Sequence, residues 1–239
     1  MSIKRTLRSS NSSPLRRAGT PQPASVGLAV PPTVTRRKEG AVSFVDSGAL
    51  ASRKRVVIGI DPSLTGPAIA VLVTDGTYLL VRLHTRTKVD KVGVGKVERL
   101  LELQRFFTDH LRSAWLQSEQ VLHIVMEGYG FATQKAHGLG ELGGILRLDL
   151  LKQFGSPLGY PTLIAANSLK KFVTGKGSGD KNVMLLAMFK KWGLDVDDDN
   201  MADSYGLARI ALAISTGHTD HAYEREVVER LRLHTEWAR

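Results

Sequence analysis

The chain has 239 residues with no cysteine, which excludes a disulfide framework, a thiolate zinc site and a cysteine nucleophile and fits a reducing compartment. No apolar stretch approaches the ~20 residues needed to span a bilayer. The formal charge of +10 is concentrated at the N-terminus: residues 1–55 hold eleven Lys and Arg against two acids, Glu39 and Asp46, and the remainder carries 22 bases against 21 acids. Overall pI therefore says little about nucleic-acid binding by the folded part; local clusters must make that case.

Residues 1–54, rich in Ser, Pro, Thr and Arg, read as a disordered basic leader, because so few apolar side chains cannot repay ordering. The stretch has a transit-peptide composition but no secretory apolar region. The expected location is the cytoplasm, with an organelle as the alternative if the stretch is a transit peptide. The domain at 55–239 opens on Val56-Val57-Ile58-Gly59-Ile60, a buried strand by its β-branched run. The turn 61–66 leads to strands at Pro67–Thr74 and Thr77–His84, joined by Asp75-Gly76, which predicts an antiparallel meander. An amphipathic helix over 96–117 and a buried strand from Val121 to Met126 follow. Further on, the pattern predicts a helix over 138–153, a short strand from Tyr160 to Ala165 and a short helix capped by Asn167 or Ser168. The last expected helices are 180–192, 200–216 and 221–237. A hairpin-led sheet followed by strand–helix alternation is a mixed α/β layout.

Three acids stand out by position. Asp61 ends the first strand, Glu127 ends the later buried strand, and Asp203 lies near the start of an apolar helix. If those elements are neighbours, three carboxylates converge at one sheet edge and repel until a cation neutralises them. All-oxygen ligands suit Mg²⁺ or Mn²⁺. Two such ions about 4 Å apart activate water and stabilise the leaving oxygen in phosphodiester hydrolysis. Asp199 and Asn200 precede Asp203 by four and three residues, so either can share its helix face.

The motifs resemble those of RuvC-type Holliday junction resolvases, particularly phage-type members of the ribonuclease H-like superfamily, over roughly Val56 to Ser215. Ile58-Gly59-Ile60-Asp61-Pro62-Ser63 and Met126-Glu127 resemble the first two motifs. The stretch from Ser168 to Lys181 resembles the lysine-bearing third, and Asn200-Met201-Ala202-Asp203-Ser204 the fourth. The resemblance implies a ribonuclease H-like mixed sheet flanked by helices. It also implies a homodimer that cuts four-way DNA junctions with two Mg²⁺ or Mn²⁺ ions per site. Asp61, Glu127 and Asp203 become metal ligands and catalytic residues, with Asp199 or Asn200 as the fourth ligand. Lys170 and Lys181, with Lys171 and Lys176 in the same stretch, become DNA contacts. Tyr129 and Phe131, two and four residues after Glu127, stand near the family's junction-stacking aromatic, which sits at plus three.

The loop 175–181 fails the Walker A spacing, and His123, His137, His218 and His221 lack zinc-ligand spacing. The turn 61–66 is similar to the phosphate loop of sugar kinases and actin-like ATPases, which need two such domains. A nuclease acting on RNA–DNA hybrids or other branched nucleic acid, and a non-catalytic DNA-binding module, remain as alternatives. The glycine-rich helix 138–153, with Leu139, Leu142, Ile145 and Leu148, is expected either among the dimer contacts or as a cover for the sheet.

Overall fold

The computed structural model describes residues 34–48, 54–90, 93–128 and 136–236, with side chains to residue 232. In chain order the elements are β1 (Thr35–Glu39), β2 (Val42–Asp46), β3 (Arg55–Asp61), β4 (Ala68–Val73), β5 (Tyr78–Leu83), α1 (Lys96–Gln117), β6 (Gln120–Glu127) and α2 (Ala136–Phe154). They continue with β7 (Thr162–Ile164), α3 (Ala166–Thr174), α4 (Lys181–Trp192), α5 (Asp199–Thr216) and α6 (Ala222–Glu236). Seven strands form one sheet in the order β1-β2-β5-β4-β3-β6-β7. The pairs on the β1 side of β3 are antiparallel, whereas β3–β6 and β6–β7 are parallel.

Period-2 alternation along each strand sorts its side chains to two faces. Val56, Ile58 and Ile60 of β3 join α1 and α2 in one apolar layer. Val57, with Ala70, Leu80 and Val125 of neighbouring strands, joins α3 to α6 in the other. On that second face α5 lies against β3 at Gly59. A Cβ there would stand 2.1 Å from the Ser204 carbonyl oxygen and 2.4 Å from the Ala208 nitrogen. The glycine between Ile58 and Ile60 therefore sets the distance between the first strand and the helix that bears Asp203.

Two sequence expectations are corrected. Residues 35–46 are not part of a structureless leader: β1 and β2 form a hairpin that extends the sheet beyond β5. The alternation in Val42-Ser43-Phe44-Val45 is half-buried, and the charged β1 protects an exposed edge, as edge strands do. The rest of the expected leader, 1–33 and 49–53, lies outside the described residues. The N-cap of α3 is Ala165, not Asn167 or Ser168, and its side chain forms no capping bond. In α2, Leu142 faces the sheet core and only Leu148 of the expected dimer surface is largely exposed. Among the described residues no helix is long and apolar enough to cross a membrane.

Candidate active site

The same alternation places the acids. Asp61, two residues after Gly59, emerges on the α5 face, and pairing of Ile60 with Met126 sets Glu127 beside it. The Gly128 N–H donates to the Ile164 carbonyl at 2.8 Å, which fixes the end of β6 against β7. Asp198 caps α5 by accepting the Met201 N–H at 2.9 Å, so the first turn presents Asn200 and Asp203 over the ends of β3 and β6. These residues line one cleft of about 700 Å³, together with the turn Pro62–Thr65, Leu139, Ile164 and the start of α3. The uncapped first turn of α3 leaves backbone N–H donors and the positive end of a helix at that cleft.

Electrostatics separates the acids. Asp61 is 7% exposed. Burial, then the charges of Glu127, Asp203, Asp199 and Asp198, holds its carboxyl well above the usual range. Burial, then Glu127 and Asp199, pushes Asp203 up to about 7, against the opposing pull of Lys170 and Lys181. Burial also raises Glu127, while Lys170 lowers it. Asp199 behaves differently: an ion pair with Lys181 holds it low, and its side chain does not line the cleft. Of the two candidates for a fourth ligand, Asn200 is the one at the cleft. No group of three or more His, Cys, Asp or Glu among the described residues is gathered closely enough to hold a metal ion as it stands.

The lysines also divide. Lys170 acts on both Glu127 and Asp203 and donates to the Gly179 carbonyl at 3.2 Å. Lys181 is exposed and paired with Asp199. Lys176 is exposed on the loop after α3. Lys171 turns away, bonded to Glu226 of α6 at 2.5 Å. Tyr129 and Phe131 lie outside the described residues.

Sequence reasoning missed Arg82. It sits on β5 in register with Ala68, which is in turn in register with Asp61. Its guanidinium pairs with Asp198, the cap of α5, while its Nε is buried without a hydrogen-bond partner. A Cβ on Gly66 would stand 2.6 Å from Arg82 Nη2 and 2.9 Å from Asn200 Nδ2. Arg82 thus bridges the turn that follows Asp61 and the helix end that presents Asn200 and Asp203. The only local signal was an arginine in a largely apolar strand.

A seven-stranded mixed sheet flanked by helices is a ribonuclease H-like α/β fold. Within that class it is RuvC-like. A solved structure of Thermus thermophilus RuvC is 21% identical and has a TM-score of 0.50, covering 68% of this chain and 96% of that one. A T. thermophilus RuvC in complex with a Holliday junction substrate is 18% identical at the same TM-score, 0.50, with 72% and 96% covered. No family model and no curated protein matches the sequence.

Proposed function

We propose that the chain is a metal-dependent, structure-selective endonuclease that cleaves four-way DNA junctions by phosphodiester hydrolysis. The observation that carries the reading is the cleft that buried Asp61 and half-buried Glu127 and Asp203 line together on a RuvC-like sheet, with Glu127 charging the surroundings of the other two. The donor set fits Mg²⁺ or Mn²⁺: it is all oxygen, and burial and neighbouring acids raise the proton affinity of Asp61 and Asp203, a repulsion that a divalent cation relieves. Asp61, Glu127, Asp203 and the amide oxygen of Asn200 would hold two such ions, with Asp199 available only on release from Lys181. Bound there, the ions supply a nucleophilic water and stabilise the leaving oxygen.

The protein's own groups do the rest. Lys170 stands where it offsets the charge of Glu127 and Asp203 and can meet a phosphate brought to them. The N–H groups at the start of α3 orient an anion in the cleft. Substrate symmetry extends the reading to a homodimer. A four-way junction has an approximate two-fold axis, so two copies related by such an axis can cut opposing strands at equivalent points.

The test is a cleavage panel of four-way junctions, flaps, RNA–DNA hybrids and linear duplex with Mg²⁺ or Mn²⁺. Preferential, paired cuts in the junction are expected. Asp61→Asn should lower the rate by about a thousandfold or more, as loss of roughly 4 kcal/mol of transition-state stabilisation implies, while junction binding persists. Preference for the hybrid would retain the chemistry and reassign the substrate. Cleavage without a divalent ion would overturn the mechanism.

A further inference from the structure

The acidic cleft is one end of a row that crosses the sheet. Lys38 on β1 is opposite Ser43 on β2, Ser43 is opposite Arg82 on β5, Arg82 opposite Ala68 on β4, and Ala68 opposite Asp61 on β3. Residues directly opposite in antiparallel strands share a face, so all five lie on the α5 side. At about 4.8 Å per strand, Lys38 stands roughly 19 Å from Asp61.

Neighbouring contacts make the strip continuous. His84 bonds Ser43 Oγ at 2.8 Å, and its N–H donates to the Ala41 carbonyl at 2.7 Å, which ties the hairpin to the end of β5. Thr85 Oγ1 donates to the Thr65 carbonyl at 3.1 Å, joining the strip to the turn that lines the cleft. Arg86 folds over the hairpin turn, where its Nη2 would lie 3.1 Å from a Cβ on Gly40.

The charges along this strip are unequally neutralised. Of the three consecutive bases on β1, Arg36 pairs with Asp195 at 2.9 Å and Arg37 with Glu39 at 3.6 Å. Lys38 and Arg86 are exposed, and among the described residues neither side chain forms an ion pair with an acid, although the Glu102 carboxylate accepts the backbone N–H of Arg86 at 2.8 Å. The field is felt nearby: burial, then Arg82 and Lys38, hold the His84 ring below its usual pKa.

We propose that Lys38 and Arg86 form a phosphate-binding ledge for the duplex arm that leads away from the cleft. The inference rests on the endonuclease reading and adds where the arm runs and how long it must be. At 3.4 Å per base pair, roughly 19 Å is about five to six base pairs from the cut.

The test uses the full chain and its Lys38→Gln/Arg86→Gln variant, whose exposed changes leave the core untouched. Binding to labelled four-way junctions with arms of about twelve or about four base pairs is followed by anisotropy across a salt series. On long arms the variant should bind roughly tenfold more weakly, and its log–log salt slope should fall by up to about two, one for each lost phosphate contact. On short arms the two proteins should bind alike. In cleavage, KM should rise with kcat unchanged. An unchanged salt slope on long arms, or an equal loss on short ones, would overturn the ledge. Failure of the unaltered chain to bind or cut any junction would instead overturn the endonuclease reading, and the ledge with it.

Discussion

Among the described residues, the junction of α3, α4 and α6 and the acidic cleft both bury charge, and they do so in opposite ways. Where α3, α4 and α6 meet, Lys191 and Glu224 form an ion pair with side chains 14% and 3% exposed. Lys191 Nζ also donates to the Phe172 and Val173 carbonyls at the end of α3, each at 3.3 Å, and lies 4.6 Å over Trp192. The other Glu224 oxygen accepts the N–H groups of Asp220 at 2.8 Å and His221 at 3.1 Å, ahead of α6. Every charge there has a counter-charge and hydrogen bonds. At the cleft, buried Asp61 and half-buried Glu127 and Asp203 share one sheet edge, and the lysines that act on Glu127 and Asp203 form no ion pair with them. A satisfied buried charge pins helices; an unsatisfied one waits for a ligand.

The largest effect expected from the comparison lies in the structural pair. Lys191→Met leaves Glu224 buried without its cation and should lower unfolding free energy by about 3–5 kcal/mol. Denaturant titration measures it, and divalent cations should not restore the loss. A change below about 1 kcal/mol would place this pair with surface ion pairs and dissolve the contrast.

A smaller effect is expected at Arg82, which belongs to both kinds of region: it is paired with Asp198, yet it holds the helix end that carries Asn200 and Asp203. Arg82→Met should lower both cleavage rate and Mn²⁺ affinity, read by calorimetry, about 10- to 100-fold, as loss of a group that orients ligands does. Gly66→Ala should shift both in the same direction, because its methyl would strike the Arg82 and Asn200 side chains. A fully active Arg82→Met would show that α5 holds its position without the clamp.

How far the sequence reached follows the same division. The meander, α1, α5 and the order of the acids were legible because strand and helix periods are local, and because Gly59 and Asp61 lie two residues apart on one face. The hairpin of β1 and β2 was not. Arg-Arg-Lys on a five-residue edge strand has the composition of a solvated tail, and only pairing with β5 orders it. Arg82 became visible through a register across three strands, which no single segment encodes. Choosing between Asp199 and Asn200 required knowing where the first turn of α5 faces, because spacings of three and four both lie on one helix side. The Lys191–Glu224 pair joins residues 33 apart and left no local trace.

The smallest effect is also the most direct reading of the unsatisfied cluster. Asp203 is raised from 3.8 to about 7 by burial and then by Glu127 and Asp199. A carboxyl raised on folding binds its proton more tightly in the native than in the unfolded chain. Its contribution to stability therefore falls as pH rises from about 4, and the full penalty is present above about 7. Asp203→Asn removes that titration. In metal-free buffer at pH 8 the variant should be more stable than the parent by on the order of 1–2 kcal/mol, partial exposure screening the shift, or a few degrees in Tm. The advantage should shrink toward pH 4, where the parent's Asp203 is protonated in both states. Mg²⁺ or Mn²⁺ should stabilise the parent more than the variant, because only the parent presents all three carboxylates. Thermal melts at several pH values, with and without the ion, measure all three effects. A variant less stable than the parent at pH 8 would mean that Asp203 is already partnered in the folded chain, and the cleft would then resemble the Lys191–Glu224 junction rather than oppose it.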